Sequence, residues 1–192
     1  MAESIWSSFL LVVFSEMGDK TQLLALMLAA RFRKPWAIFA GITVATVANH
    51  GLAAWAGVTV ASMIDPEMLR WCLALAFVAF GIWILFPDKD DDGETKSGKS
   101  VFWITTVTFF FAEMGDKTQL ATVALGARFQ DVTLVTVGTT IGMLVADGLA
   151  VIMGERVLKI IPMKWMHIIT AIIFWIFAAL ILLAPASGMF SE

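Results

Sequence analysis

Eight residues occur twice in this sequence without a change: Glu16-Met17-Gly18-Asp19-Lys20-Thr21-Gln22-Leu23 returns as Glu113-Met114-Gly115-Asp116-Lys117-Thr118-Gln119-Leu120. Each copy sets two carboxylates, one ammonium group and a Thr-Gln pair into an otherwise apolar run. Carboxylate, carbonyl, amide and hydroxyl oxygens suit hard or borderline cations such as Ca2+, Mg2+ and Mn2+, whereas zinc and copper sites draw on Cys and His. The chain has one cysteine and two histidines in 192 residues, so an oxygen site is what it can build. Glu16, Asp19, Glu113 and Asp116 are the candidate metal carboxylates, with Thr21, Gln22, Thr118 and Gln119 as secondary oxygen ligands. With Lys20 and Lys117 as charge-balancing groups, the four carboxylates leave a formal charge of minus two, which one divalent cation or two protons would neutralise.

The copies stand 97 residues apart, and the register continues past the motif: Arg31-Phe32 falls on Arg128-Phe129, Gly41 on Gly138, Gly51-Leu52-Ala53 on Gly148-Leu149-Ala150 and Gly57 on Gly154. At the same offset Asp147 falls on His50, beside Asn49. Asn49 and Asp147 are further candidates for ion coordination or proton relay, and helix-to-helix hydrogen bonding accounts for them equally well. Met17 and Met114 either offer a soft thioether favouring Mn2+ or simply pack.

The elements that must position these groups follow from composition. The chain is 59% hydrophobic and 15% charged, with a mean hydropathy of +0.85, far from a soluble domain with about 25% charged residues. A bilayer core needs roughly 20 apolar residues as helix. Six segments qualify: 5–30, 36–64, 69–86, 101–127, 132–153 and 165–183. All five prolines fall at segment ends, where a missing N–H costs least. The expected fold is therefore all-α: a polytopic membrane protein of six transmembrane helices in two three-helix repeats, 1–87 and 101–192, joined by an acidic linker over 88–100. No removable signal peptide is expected, because the first apolar stretch has no basic leader and no small-residue cleavage site. The net charge of −3 and the scatter of basic residues exclude a nucleic-acid partner.

Lys20 and Lys117 lie inside spans. Of the other eleven basic residues, nine follow spans one, three and five, and only Arg70 and Arg128 lie on the opposite side. The positive-inside rule then places both termini in the periplasm and the acidic linker in the cytoplasm. Three spans per repeat require the second repeat to enter the membrane inverted, an architecture in which substrate binds near mid-depth between the repeats. Charges at a helix centre cost about 2.5–3.5 kcal/mol each when they face lipid, so the two acidic clusters must face inward. In an unbroken helix Glu16, Asp19 and Lys20 share one face and can meet the equivalent trio across a pseudo-two-fold axis. Intrahelical Glu16–Lys20 and Glu113–Lys117 ion pairs are the structural alternative, although they would leave Asp19 and Asp116 unexplained. Gly18 and Gly115 can loosen each helix and present carbonyls.

The doubled Glu-x-Gly-Asp-Lys-Thr motif resembles the family of Golgi and bacterial cation/proton exchangers defined by two such sequences. The resemblance covers both halves. It implies a secondary transporter of the bacterial inner membrane that exports Mn2+ from the cytoplasm in exchange for protons, with Ca2+/H+ exchange as the alternative. It also implies Glu16, Asp19, Glu113 and Asp116 as metal carboxylates, and no resident cofactor. The partners expected are a divalent metal ion, protons and the lipid bilayer, and a homo-oligomer is left open. An intramembrane aspartyl hydrolase is disfavoured because neighbouring lysines would keep both aspartates ionised when one must hold a proton. A passive divalent-cation channel is disfavoured because a dense carboxylate cluster releases divalent ions slowly.

Overall fold

The computed structural model describes residues 2–85, 100–154 and 163–183, except for the side chains of 163, 164, 166 and 167. The described residues form eight helices and no strand: α1 Ala2–Glu16, α2 Lys20–Phe32, α3 Pro35–Ala61, α4 Pro66–Trp83, α5 Val101–Glu113, α6 Lys117–Phe129, α7 Val132–Met153 and α8 Met163–Leu183. Apart from Ser100, the acidic linker lies outside the described residues, as do Arg156, Lys159 and the His167 side chain.

Helix ends follow local chemistry. Pro35 and Pro66 open α3 and α4, and Asp65 accepts hydrogen bonds from the Glu67 and Met68 backbone N–H groups. Pro at the first turn loses no helical hydrogen bond. Asp131 caps α7 by accepting from Leu134 N at 2.9 Å. α2 and α6 both end on a left-handed residue, Arg33 (φ 51°) and Gln130 (φ 54°), which correspond at the 97-residue offset.

The expected first and fourth spans are each broken. α1 ends at Glu16 and α2 begins at Lys20, while α5 ends at Glu113 and α6 begins at Lys117. Glu16, Asp19 and Lys20 therefore do not share one face of a continuous helix. That expectation is corrected by backbone geometry: Gly18 has φ 90° and Gly115 φ 78°, a region that residues with a Cβ avoid. The free ends are satisfied locally. The Gly18 N–H donates to Gln22 Oε1 at 2.9 Å, and the Gly115 N–H donates to Gln119 Oε1 at 2.6 Å.

Packing is reciprocal between the halves. α1 lies on α7 and α5 lies on α3, while α3 also packs on α7 and α6 and α4 packs on α8. Close approach sets the first two contacts. A Cβ on Gly41 would stand 2.9 Å from the Phe102 carbonyl oxygen, and one on Gly138 would stand 2.6 Å from that of Ile5. Phe102 and Ile5 are themselves 97 residues apart. On the α4–α8 side the core is aromatic, with Phe77 stacked on Phe177 and tilted against Phe174. The exterior is apolar, including Trp36, Met63, Ile152 and Leu183 among the most exposed side chains. α3, α4 and α7 are long and apolar enough to cross a membrane.

Candidate ion-binding site

The two helix breaks meet, and their charges cross. Lys20 Nζ of the first motif lies 3.3 Å from Asp116 Oδ2 of the second, and Lys117 Nζ lies 3.5 Å from Asp19 Oδ1. The ion pairs thus tie one half to the other, in place of the intrahelical Glu–Lys alternative. They differ in exposure: the Lys20 side chain is 29% accessible and that of Lys117 is 4%.

The glutamates are fully buried but differently bound. Glu16 accepts hydrogen bonds from Thr21 Oγ1 at 2.7 Å and from Thr118 Oγ1 of the other motif. Neither oxygen of Glu113 has a hydrogen-bond partner. Thr118 is the reason, because it reaches across to Glu16 instead of bonding the glutamate of its own motif. Glu113 nevertheless lies within electrostatic reach of Glu16, Asp19, Asp116 and Asp147. Asp147 on α7 is fully buried, and both of its oxygens also lack a hydrogen-bond donor.

The glutamines are occupied at both ends. Besides capping the breaks, Gln22 Nε2 donates to the Ala146 carbonyl at 2.9 Å and Gln119 Nε2 donates to Asn49 Oδ1. Asn49 in turn donates from Nδ2 to the Phe110 carbonyl at 3.1 Å. Ala146 and Asn49 correspond at the repeat offset, so each glutamine ties its break to the same place on the opposite long helix. Among the described residues, no three His, Cys, Asp or Glu side chains are grouped as a metal ion would require. In this conformation the carboxylates are neighbours whose oxygens are divided among lysines, threonines and unbonded positions.

The sequence carries the same duplication at family level. The model of the family described as "Divalent cation/proton antiporter GDT1" matches residues 4–92 and again 101–189, equal segments set 97 residues apart. The chain belongs to the GDT1 family. A protein named "Putative manganese exporter" from Vibrio cholerae is 46% identical over 168 residues, covering 87% of this chain and 84% of its own length. A GDT1-like protein of Synechocystis is 26% identical, covering 93% of this chain and 96% of its own. GDT1-like protein 3 of Oryza sativa is 25% identical, covering 90% and 71%. No solved structure matches.

One feature of this GDT1 protein escaped the residue pattern, the crossing of the ion pairs, for which the sequence offers no signal, because helical spacing relates a lysine only to its own motif. The helix breaks fall at Gly18 and Gly115, the glycines placed to loosen each helix. Glycine next to aspartate before an apolar run has the composition of a helix stop followed by an N-cap.

Proposed function

We propose that this chain exports a divalent cation, Mn2+ in the first instance, from the cytoplasm across a bacterial inner membrane in exchange for protons. α1 with α2 forms one span and α5 with α6 another, which makes six spans with α3, α4, α7 and α8. The repeats 1–87 and 101–192 are inverted with respect to each other, both termini are periplasmic, and the acidic segment 88–100 is cytoplasmic. The 46% identity to a protein named as a manganese exporter supports the ion, and the family description supports proton exchange. The oxygen donor set also suits Ca2+.

One observation carries this reading. Two broken helices place Glu16, Asp19, Glu113 and Asp116 at one locus, where lysines from opposite halves hold the two aspartates. Buried charge without a partner is costly, so an emptied site must be matched by other cations. Lys20 and Lys117 match part of it, and the transported metal or incoming protons match the rest. Broken helices at mid-depth also supply backbone ends for ion coordination. In the cycle we infer, cytoplasmic metal takes carboxylate oxygens from the lysines, the halves rock, and external protons release the metal on the far side.

Uptake of Mn2+, Ca2+ and Mg2+ into inverted membrane vesicles, with and without an imposed pH difference, tests the proposal. Mn2+ uptake should follow the pH difference and should be lost in Glu16→Gln and in Asp116→Asn. Uptake that ignores the pH difference, or that survives both substitutions, would overturn it.

A further inference from the structure

We propose that Asn49 is a positioning residue of the transport site: it bonds to both arms of the second helix break and so fixes where Glu113 and Asp116 stand relative to each other. The proposal rests on the exchanger reading above and concerns a residue outside the doubled motif.

Asn49 lies in α3 and is 1% exposed. Its Nδ2 donates to the Phe110 carbonyl in the last turn of α5 at 3.1 Å, and its Oδ1 accepts from Gln119 Nε2 in the first turn of α6. Gln119 in turn accepts from the Gly115 N–H at 2.6 Å. One side chain of α3 thus closes a chain of hydrogen bonds around the break, from the end of α5 through the start of α6 to the turn between them. Glu113 and Asp116 flank that turn.

The first repeat shows what the bridge changes. The position equivalent to Asn49 holds Ala146, and Gln22 bonds its backbone carbonyl directly. Val13, the counterpart of Phe110, needs no outside donor, because its carbonyl accepts from the Met17 N–H at 3.2 Å as in a regular helix. In α5 the matching N–H, that of Met114, turns instead to the Phe111 carbonyl at 3.2 Å. This tighter last turn leaves the Phe110 carbonyl without the donor that Val13 has, and the Asn49 amide supplies one. Buried backbone carbonyls are rarely left unbonded, so Asn49 is what allows α5 to end this way. Both ends of the amide are engaged, which gives Asn49 the task of holding the site and leaves the ion to the carboxylates.

The test is Mn2+ binding to the purified full chain in lipid nanodiscs, read from the loss of the free Mn2+ paramagnetic resonance signal, alongside uptake into inverted vesicles. Asn49→Ala should weaken binding about tenfold. It should raise the half-saturating Mn2+ concentration by a similar factor and keep the maximal rate within about twofold of the parent. Gln119→Ala should weaken binding too, and the double variant should lose little beyond the worse single one, since Asn49 acts through Gln119. Asn49→Asp separates positioning from ligation. The carboxylate can still accept from Gln119 but cannot donate to the Phe110 carbonyl, so binding should weaken, whereas a residue that touches the ion would bind it more tightly as a carboxylate. Binding that is unchanged in Asn49→Ala, tightened in Asn49→Asp, or reduced independently by each member of the double variant would overturn the proposal. Should Asn49→Ala fail to fold, the isosteric Asn49→Asp decides: weakened binding supports the proposal, and unchanged or tightened binding overturns it. A parent protein that neither binds nor transports Mn2+ would instead remove the exchanger reading, so the two failures are distinguishable.

Discussion

The two copies of the eight-residue motif are identical in sequence and unequal in their bonding. Around the first, Glu16 is held by two threonine hydroxyls, one from each copy. Around the second, Glu113 has no donor at all, and Met114 and Gly115 are exposed where Met17 and Gly18 are half-buried. The lysines show the same inequality, since Lys117 is sealed and Lys20 is partly open. Identical residues thus take different roles because the surrounding helices are not copies. A duplicated site can hold one carboxylate as a fixed anchor while leaving its twin available to an ion.

The sharpest way to break this comparison is to neutralise the two glutamates separately. Glu113→Gln should abolish Mn2+ uptake into inverted vesicles with little loss of thermal stability, because its oxygens bond to nothing. Glu16→Gln should abolish uptake as well, and should also lower stability by about 1–3 kcal/mol as charge-assisted hydrogen bonds weaken. Equal thermal shifts in the two variants would erase the distinction between anchor and available carboxylate.

Removing the lysines probes the next difference. Lys117→Met removes the buried ammonium group that pairs with Asp19, at a cost of about 3–5 kcal/mol, read as a lowered unfolding midpoint in detergent. Lys20→Met should cost clearly less, because the amine it removes is partly solvated and Asp116 retains its bond to the Lys117 N–H at 2.7 Å. A larger loss for Lys20→Met would reverse the order of burial described above.

Smaller effects are expected from the threonines and the glycine turns. Thr118→Val and Thr21→Val should each cost about 1–2 kcal/mol by removing a donor to a buried carboxylate. Thr118→Val should also free Glu16 from the second half and make the two glutamates more alike in Mn2+ binding. Gly115→Ala should cost about 1 kcal/mol, from backbone strain alone, since nothing lies within 4 Å of the added methyl group. A loss of several kcal/mol there would point to a contact that the structure does not contain.

Much of the fold was legible because the punctuation is strong. α7 runs over the expected 132–153 and α3 begins one residue before its expected start, both bounded by proline or an aspartate cap. The site residues were legible as types, since carboxylates in an apolar run have few explanations. Their arrangement was not. The helical spacing of Glu16, Asp19 and Lys20 suggested one shared face, but Gly18 and the Gln22 side chain together make a break more favourable than a continued helix. Nor could the motif reveal that Thr118 bonds Glu16 rather than Glu113, because that choice is made by the packing of α6 beside α1. Asp147 stood out as a lone acid in a span, and the sequence could not show that no donor meets its buried carboxylate.

The crossed lysine–aspartate pairs carry a consequence for how the two halves hold together. Each pair takes its acid from one motif and its base from the other, Lys20 with Asp116 and Lys117 with Asp19. The pairs therefore work as a double latch, and any rearrangement that slides one motif past the other must loosen both bolts together.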